Sequence, residues 1–237
     1  MRQRPWLNTA YLLIVRTVLI LFLGSIAWVV MLKYVPVWFT PLTISRKWDT
    51  IGTDKSSKIY KTWRPYEEIS KEAALAVIAS EDQRFPYHWG FDFDEIQDAI
   101  KENLTRKRAR GASTISQQVA KNVFLWQGRS YVRKAAEAYF TVLIEFLWSK
   151  RRIMEMYLSV AEMGDCTFGV EAASQRYFGK PASKVSTAEA ALLAGVLPNP
   201  LRFRASNPGP VARAKQQRVM RNMRRLGGTR YVAEMLK

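Results

Sequence analysis

One histidine, His88, and one cysteine, Cys166, are all that 237 residues hold of those two types. A multi-histidine or cysteine-rich metal site is therefore excluded, and so is an intramolecular disulfide. The chain also lacks a P-loop, a Gly-x-Gly-x-x-Gly turn, a Gly-x-Ser-x-Gly elbow and any Ser-x-x-Lys tetrad. That sets aside the nucleotide-binding and acyl-serine chemistries those motifs carry. Acidic residues are scarce: 20 Asp and Glu face 37 Lys and Arg, leaving a net charge of +17. An excess of that size points to nucleic acid or to an anionic membrane surface. With 48% apolar residues and no low-complexity tail, the chain can bury one good-sized core, in one lobe or two.

The one long apolar run decides between those partners. Tyr11 to Leu32 is 22 residues long, interrupted only by Arg16 and a few small or weakly polar residues, and so crosses the roughly 30 Å of bilayer hydrocarbon. Arg2 and Arg4 precede it with no acidic residue. The positive-inside tendency then puts residues 1–10 in the cytoplasm, 11–32 in the membrane and the bulk of the chain beyond it. Arg16 snorkels toward the cytoplasmic side. No small-x-small cleavage site ends the run, so an uncleaved anchor is expected in place of a signal peptide. A domain across the membrane does not meet DNA, which removes nucleic acid as a partner.

Residues 33–64 hold Pro36, Pro41, Gly52 and several tryptophans, with weak strand-like alternation from Trp38 to Ile44, and read as a membrane-proximal connector. From Pro65 onward the periodicity is helical almost throughout. Ser70 caps a helix rich in Ala, Leu, Val and Ile that leads to Glu81. Glu81 then sits near a helix C-terminus, where apolar surroundings and the negative end of the dipole both disfavour ionisation and make it a better base. Alone, it reads equally well as a carboxylate closing a core helix. Asp92 or Asp94 caps the next helix, with Ile96, Ala99, Ile100 and Leu104 at helical spacing.

The cationic run 101–111 reads as a solvated loop. After it, Ser113 caps a helix that carries Gln117, Gln118 and Lys121, side chains of the kinds that bind sugar hydroxyls and phosphate oxygens. Ser130 opens a long helix, Tyr131 to Trp148, whose apolar residues cover most of its circumference and are expected to be largely buried. Within it Arg133, Glu137, Thr141 and Glu145 form one polar stripe at i,i+4 spacing. Glu137, flanked by Arg133 and Lys134, is expected to stay ionised. Two carboxylates with opposed environments are the signature of divided catalytic roles. Ser149 opens a further helix, Ser186 and Glu189 form a capping box, and the last 37 residues carry ten Lys or Arg against one Glu. A charge so placed suits anionic headgroups or an anionic lipid substrate.

These motifs resemble those of the monofunctional biosynthetic peptidoglycan glycosyltransferases, relatives of the glycosyltransferase domain of class A penicillin-binding proteins (family 51). The resemblance covers residues 65–225. The first motif is present as Glu81, Asp82, Phe85, His88 and Gly90, and the second as Gly111, Ser113, Thr114, Ile115, Gln117, Gln118, Lys121 and Asn122. Arg133, Lys134 and Glu137 make the third, and Lys150, Ile153, Met154, Glu155, Tyr157 and Leu158 the fourth, with Ser159 where Asn is usual. Residues 190–198 resemble the last. Each pattern is short, but five in order within one chain are specific.

The resemblance implies an all-α, lysozyme-like, two-lobed domain over residues 65–237 behind the transmembrane helix. Residues 105–129 fall in its smaller, membrane-apposed lobe, with Val123–Trp126 dipping into the interface. It implies polymerisation of lipid II into glycan strands, the growing lipid-linked glycan acting as donor and undecaprenyl pyrophosphate leaving with inversion. Glu81 is then the general base. Glu137 organises the leaving-group side, directly or through a divalent cation (Mg2+ or Mn2+), no cofactor being obligatory. Lys121, Arg129 and Arg133 hold pyrophosphate oxygens, Gln117 and Gln118 position sugar or pyrophosphate, Ser113, Thr114, Asn122 and Lys134 are further substrate-binding residues, and Phe85 and His88 shape the substrate-binding turn. The implied location is the bacterial inner membrane, single-pass, with the catalytic domain periplasmic. Partners are the anionic membrane surface, transpeptidases to which crosslinking is left, and cell-division or elongation proteins. The alternatives from other classes are a peptidoglycan lytic enzyme of lysozyme-like fold and a non-catalytic cell-wall scaffold.

Overall fold

The computed structural model describes residues 5–50, 58–105 and 111–236. The chain divides into two compact units, residues 1–36 and 37–237. The first is one helix, α1 (Pro5–Tyr34), whose segment Thr9–Tyr34 contains an 18-residue stretch with a mean hydropathy of 2.4. At 1.5 Å per residue it is long enough to cross a membrane as a single-pass anchor.

The second unit opens with α2 (Pro41–Thr50), a helix inside the stretch 33–64 that the sequence marks as a connector with weak strand-like alternation. Local capping decides the matter. Thr40 N–H donates to Thr43 Oγ1 (2.9 Å), Thr43 N–H donates to Thr40 Oγ1 (3.2 Å), and Pro41 fills the first helical position. Arg46 then ties α2 to Glu162 through two hydrogen bonds of 2.9 Å.

The core is a packing of short, nearly all-apolar helices. In α3 (Lys71–Glu81), capped by Ser70, every residue from Ala73 to Ala79 is buried. Such a helix needs partners all round. They are α9 (Thr187–Val196), α10 (Pro210–Arg225) and α11 (Thr229–Met235). Asn222 of α10 donates to the Ala79 carbonyl at 3.0 Å. Gly195 allows α9 and α10 to approach closely, since a Cβ there would lie 3.3 Å from the Gln216 nitrogen.

Around this core run α4 (Phe93–Asn103), α5 (Ile115–Phe124), α6 (Tyr131–Leu147), α7 (Lys150–Val160) and α8 (Val170–Phe178). A three-stranded sheet of β1 (Tyr60–Lys61), β2 (Glu162–Gly164) and β3 (Thr167–Phe168) has the order β1-β3-β2, parallel then antiparallel. Strands of two or three residues are too short to show a period of two, so periodicity does not reveal them.

Four local expectations change. Thr114, one residue after Ser113, is the cap of α5, because Gln117 stands three residues beyond it and completes a capping box. On α4, Ala99 is buried while Ile100 and Leu104 are exposed, so the apolar stripe is not a core face. Val123, Phe124 and Leu125 are buried, with Phe124 stacked on Phe140 at 4.5 Å, leaving Trp126 alone of that group exposed. Most consequential, α6 is inside out. Its buried residues are Glu137, Thr141, Ile144 and Glu145, while Tyr131 (96%), Val132 (72%) and Phe146 (81%) stand exposed. The polar stripe, not the apolar face, is turned toward the protein.

Candidate active site

The turn after α3 is locked in place by its own side chains. His88 Nε2 lies 3.0 Å from both Asp82 carboxylate oxygens, and Asp82 Oδ2 also accepts the Ile115 N–H of α5 (3.0 Å). Thr114 Oγ1 donates to the Gly90 carbonyl at 2.6 Å. Lys150 Nζ donates to the His88 carbonyl (2.5 Å) and to Glu145 (2.8 Å) and sits 4.6 Å from the Phe85 ring centroid. Ser116 donates to the same Glu145. Gly90 has φ +81°, and a Cβ there would lie 2.6 Å from Thr141 Cγ2. Phe85, His88 and Thr114 are thus buried in the packing of this turn and line no described cavity.

Glu81, the last residue of α3, receives a 2.9 Å hydrogen bond on Oε2 from Gln118 Nε2, and the Ser80 hydroxyl lies 3.2 Å from its Oε1. Gln118 Oε1 in turn accepts the Tyr157 hydroxyl at 3.1 Å. Burial pushes the Glu81 pKa above the usual carboxylate value, and the Gln118 and Ser80 hydrogen bonds together with the charges of Lys215 and Lys121 pull the other way.

Next to it, between α5 and α6, a cavity of about 140 Å3 is lined by Ser113, Gln117, Gln118, Lys121, Arg133, Lys134 and Glu137. Gln118 therefore serves both the cavity and Glu81. Glu137 is 3% exposed and its carboxylate is held by Arg133 (3.1 Å) and Lys134. The Arg133 Nε–H is buried without a partner. Burial lowers the Lys121 pKa, with Arg133 and Lys134 adding to the effect and the Glu137 and Glu81 carboxylates opposing it. An ammonium in that condition gains from an incoming anion.

Of the site residues read from the sequence, the structure brings seven to this cavity and Glu81 to its edge through Gln118. Asn122 is buried elsewhere on α5 and Arg129 is exposed, and neither lines the cavity. A divalent cation at Glu137 is not favoured by the residues present, since both oxygens already hold cations. Among the described residues, the grouping with ligand-like spacing is Asp82, His88 and Asp92, whose ligand atoms lie within 4.8 Å of one another. The sequence reading missed Ser80, Tyr157 as a partner of Gln118, and Lys215. Ser80 adjoins Glu81 in sequence and was open to inspection, whereas Tyr157 and Lys215 reach it only through the fold.

The Transglycosylase family's sequence model matches residues 48–224. The chain belongs to that family. Its transglycosylase domain is all-α and lysozyme-like, the sheet being a minor element. A biosynthetic peptidoglycan transglycosylase of Cronobacter sakazakii is 52% identical over 210 residues, covering 88% of this chain and 87% of the relative. Proteins of the same description from Pectobacterium carotovorum and Bdellovibrio bacteriovorus are 48% and 49% identical, over 93% and 87% of this chain and 91% and 83% of their own lengths.

Proposed function

We propose that this transglycosylase is a peptidoglycan glycosyltransferase that extends glycan strands from lipid II, with the lipid-linked chain as donor and lipid II as acceptor. The observation that carries the reading is a half-buried carboxylate, Glu81, joined through Gln118 to a cavity ringed by Lys121, Arg133 and Lys134. Base and anion cradle are the two parts that transfer from a sugar pyrophosphate requires.

Glu81 takes the proton from the acceptor's sugar 4-hydroxyl as that oxygen attacks the donor's anomeric carbon. The anomeric C–O bond breaks and its electron pair leaves with undecaprenyl pyrophosphate, giving inversion. Lys121, Arg133 and Lys134 neutralise the developing charge on the pyrophosphate. Glu137 holds Arg133 and Lys134 in place and keeps three clustered cations compatible with a folded site. This assigns the leaving-group side to protein cations without a metal.

The exposed apolar side of α6, with Tyr131, Val132, Val142 and Phe146, supports a membrane-apposed lobe. That role moves to α6 from Val123–Leu125, and Trp126 joins it. Exposed Arg213, Arg218, Arg221, Arg224 and Arg225 on α10 suit anionic headgroups. Arg2 and Arg4 ahead of α1 favour a cytoplasmic N-terminus in the bacterial inner membrane and a periplasmic catalytic domain. We assign crosslinking of the strands to partner transpeptidases acting with cell-division or elongation proteins.

The test is incubation of the detergent-solubilised protein with lipid II. Glycan polymer is the expected product. Soluble fragments from finished cell wall, with no polymer from lipid II, would establish the lytic alternative.

A further inference from the structure

We propose that Tyr157, on α7, is a positioning residue for the base: its hydroxyl fixes the orientation of the Gln118 amide, and that amide fixes the Glu81 carboxylate. The inference rests on Glu81 being the general base. Three helices meet in this relay, with Tyr157 Oη donating to Gln118 Oε1 at 3.1 Å and Gln118 Nε2 donating to Glu81 Oε2 at 2.9 Å.

An amide side chain presents a donor on one edge and an acceptor on the other, and turning it over exchanges the two. With Gln118 reversed, its carbonyl oxygen would face the Glu81 carboxylate, and a half-buried anion would lose a donor and meet a negative dipole. By donating to Oε1, Tyr157 reinforces the orientation in which the donor edge faces Glu81. Its side chain is 1% exposed, and burial, reinforced by the nearby Glu81 and Asp82 carboxylates, pushes the phenol pKa well above its ordinary value. A phenol that never ionises at working pH keeps its O–H. Asp82 is occupied by His88 and the Ile115 N–H, which leaves Gln118 Oε1 as the acceptor for Tyr157.

The other groups facing Glu81 do not replace this donor. Lys121 of α5 and Lys215 of α10 act on it by charge, and Ser80 shares its hydroxyl between Glu81 Oε1 and the Ala194 carbonyl of α9, 3.2 Å from each. Tyr231 of α11 turns its hydroxyl to the Gln83 carbonyl at 3.1 Å. Asp82, adjacent in sequence, is held by His88. Gln118 is thus the strongest neutral donor on the carboxylate, and Tyr157 is what holds it the right way round. The relay favours the ionised form against desolvation and fixes one carboxylate oxygen, while the lone pairs that remain can take the acceptor's proton.

The experiment compares wild type, Tyr157→Phe, Gln118→Met, their double variant and Glu81→Gln, full-length in detergent with lipid II, across pH. Tyr157→Phe keeps the ring and removes only the hydroxyl. The expected result is a roughly tenfold loss of kcat at pH 7 with KM for lipid II little changed, because a smaller fraction of the base is ionised. The acid limb moves to higher pH, so the loss shrinks as pH rises. The double variant is no worse than Gln118→Met alone, because both changes break one relay. A cooperatively melting Tyr157→Phe whose acid limb coincides with that of wild type overturns the inference, as do additive losses. Should Tyr157→Phe not fold, an unmoved limb in Gln118→Met overturns it equally. Near-wild-type turnover by Glu81→Gln instead overturns the base reading on which the inference stands.

Discussion

The Gln118 side-chain amide donates to the Glu81 carboxylate at 2.9 Å, across 37 residues of sequence. Its neighbour Gln117 is committed differently, its Oε1 accepting the Thr114 N–H at 3.0 Å to close the cap of α5. The two adjacent glutamines should therefore fail in different ways. Gln117→Ala is expected to cost about 1 kcal/mol of stability, as loss of one half of a capping box does. Gln118→Met should melt near wild type and lose activity at neutral pH. Thermal unfolding and lipid II turnover on the same preparations distinguish them.

Glu81 is itself expected to weaken the fold. Its pKa is raised by burial, so the native state binds more protons than the unfolded chain, and stability falls as pH rises from the ordinary glutamate value through the raised one. Above that window the ionised side chain stands against the fold. Glu81→Gln should then melt at or above the wild-type temperature at pH 7, with the gap closing as pH falls. Melting curves between pH 4 and pH 8 check this, and a clearly less stable Glu81→Gln would contradict it.

Lys215 of α10 favours the Glu81 anion by charge, while its own ammonium lies 5.1 Å from the Phe203 ring centroid. Removing it should raise the Glu81 pKa further. Lys215→Met is expected to move the acid limb of the pH–rate profile to higher pH, and Lys215→Arg to restore it. An unmoved limb in Lys215→Met would show that this charge does not reach the base.

Gly90 combines a positive φ with no room for a side chain. Gly90→Ala should cost about 1 to 3 kcal/mol, the range for backbone held in a strained region. Part of that cost is the contact with Thr141 Cγ2, so adding Thr141→Ser should recover some of the melting temperature. A double variant as unstable as the single one would place the whole cost in the backbone.

Much of the scaffold is legible in the sequence because caps and spacing are local. Ser70, Ser130, Ser149 and Ser186 each open the helix expected of them, and α3 ends at Glu81. The orientation of α6 is not legible in this way. Periodicity separates the Glu137 stripe from the apolar face, but it does not say which of them meets protein. The usual rule buries the apolar side, and here it fails because the polar stripe faces α5 and α7 across the cavity and the turn. Thr114 and Ser113 differ by one position, and only the reach to Gln117 selects between them. Tyr157 and Lys215 join Glu81 through tertiary packing that no short motif encodes.

The most direct measurement of the central claim is lipid II polymerisation by purified, folded Glu81→Gln beside wild type. A general base accounts for roughly a hundred- to ten-thousandfold in rate, and Glu81→Gln is predicted to lose activity on that scale while still binding lipid II. Glycan synthesis at near-wild-type rate by the folded variant would contradict the assignment of Glu81 as the base.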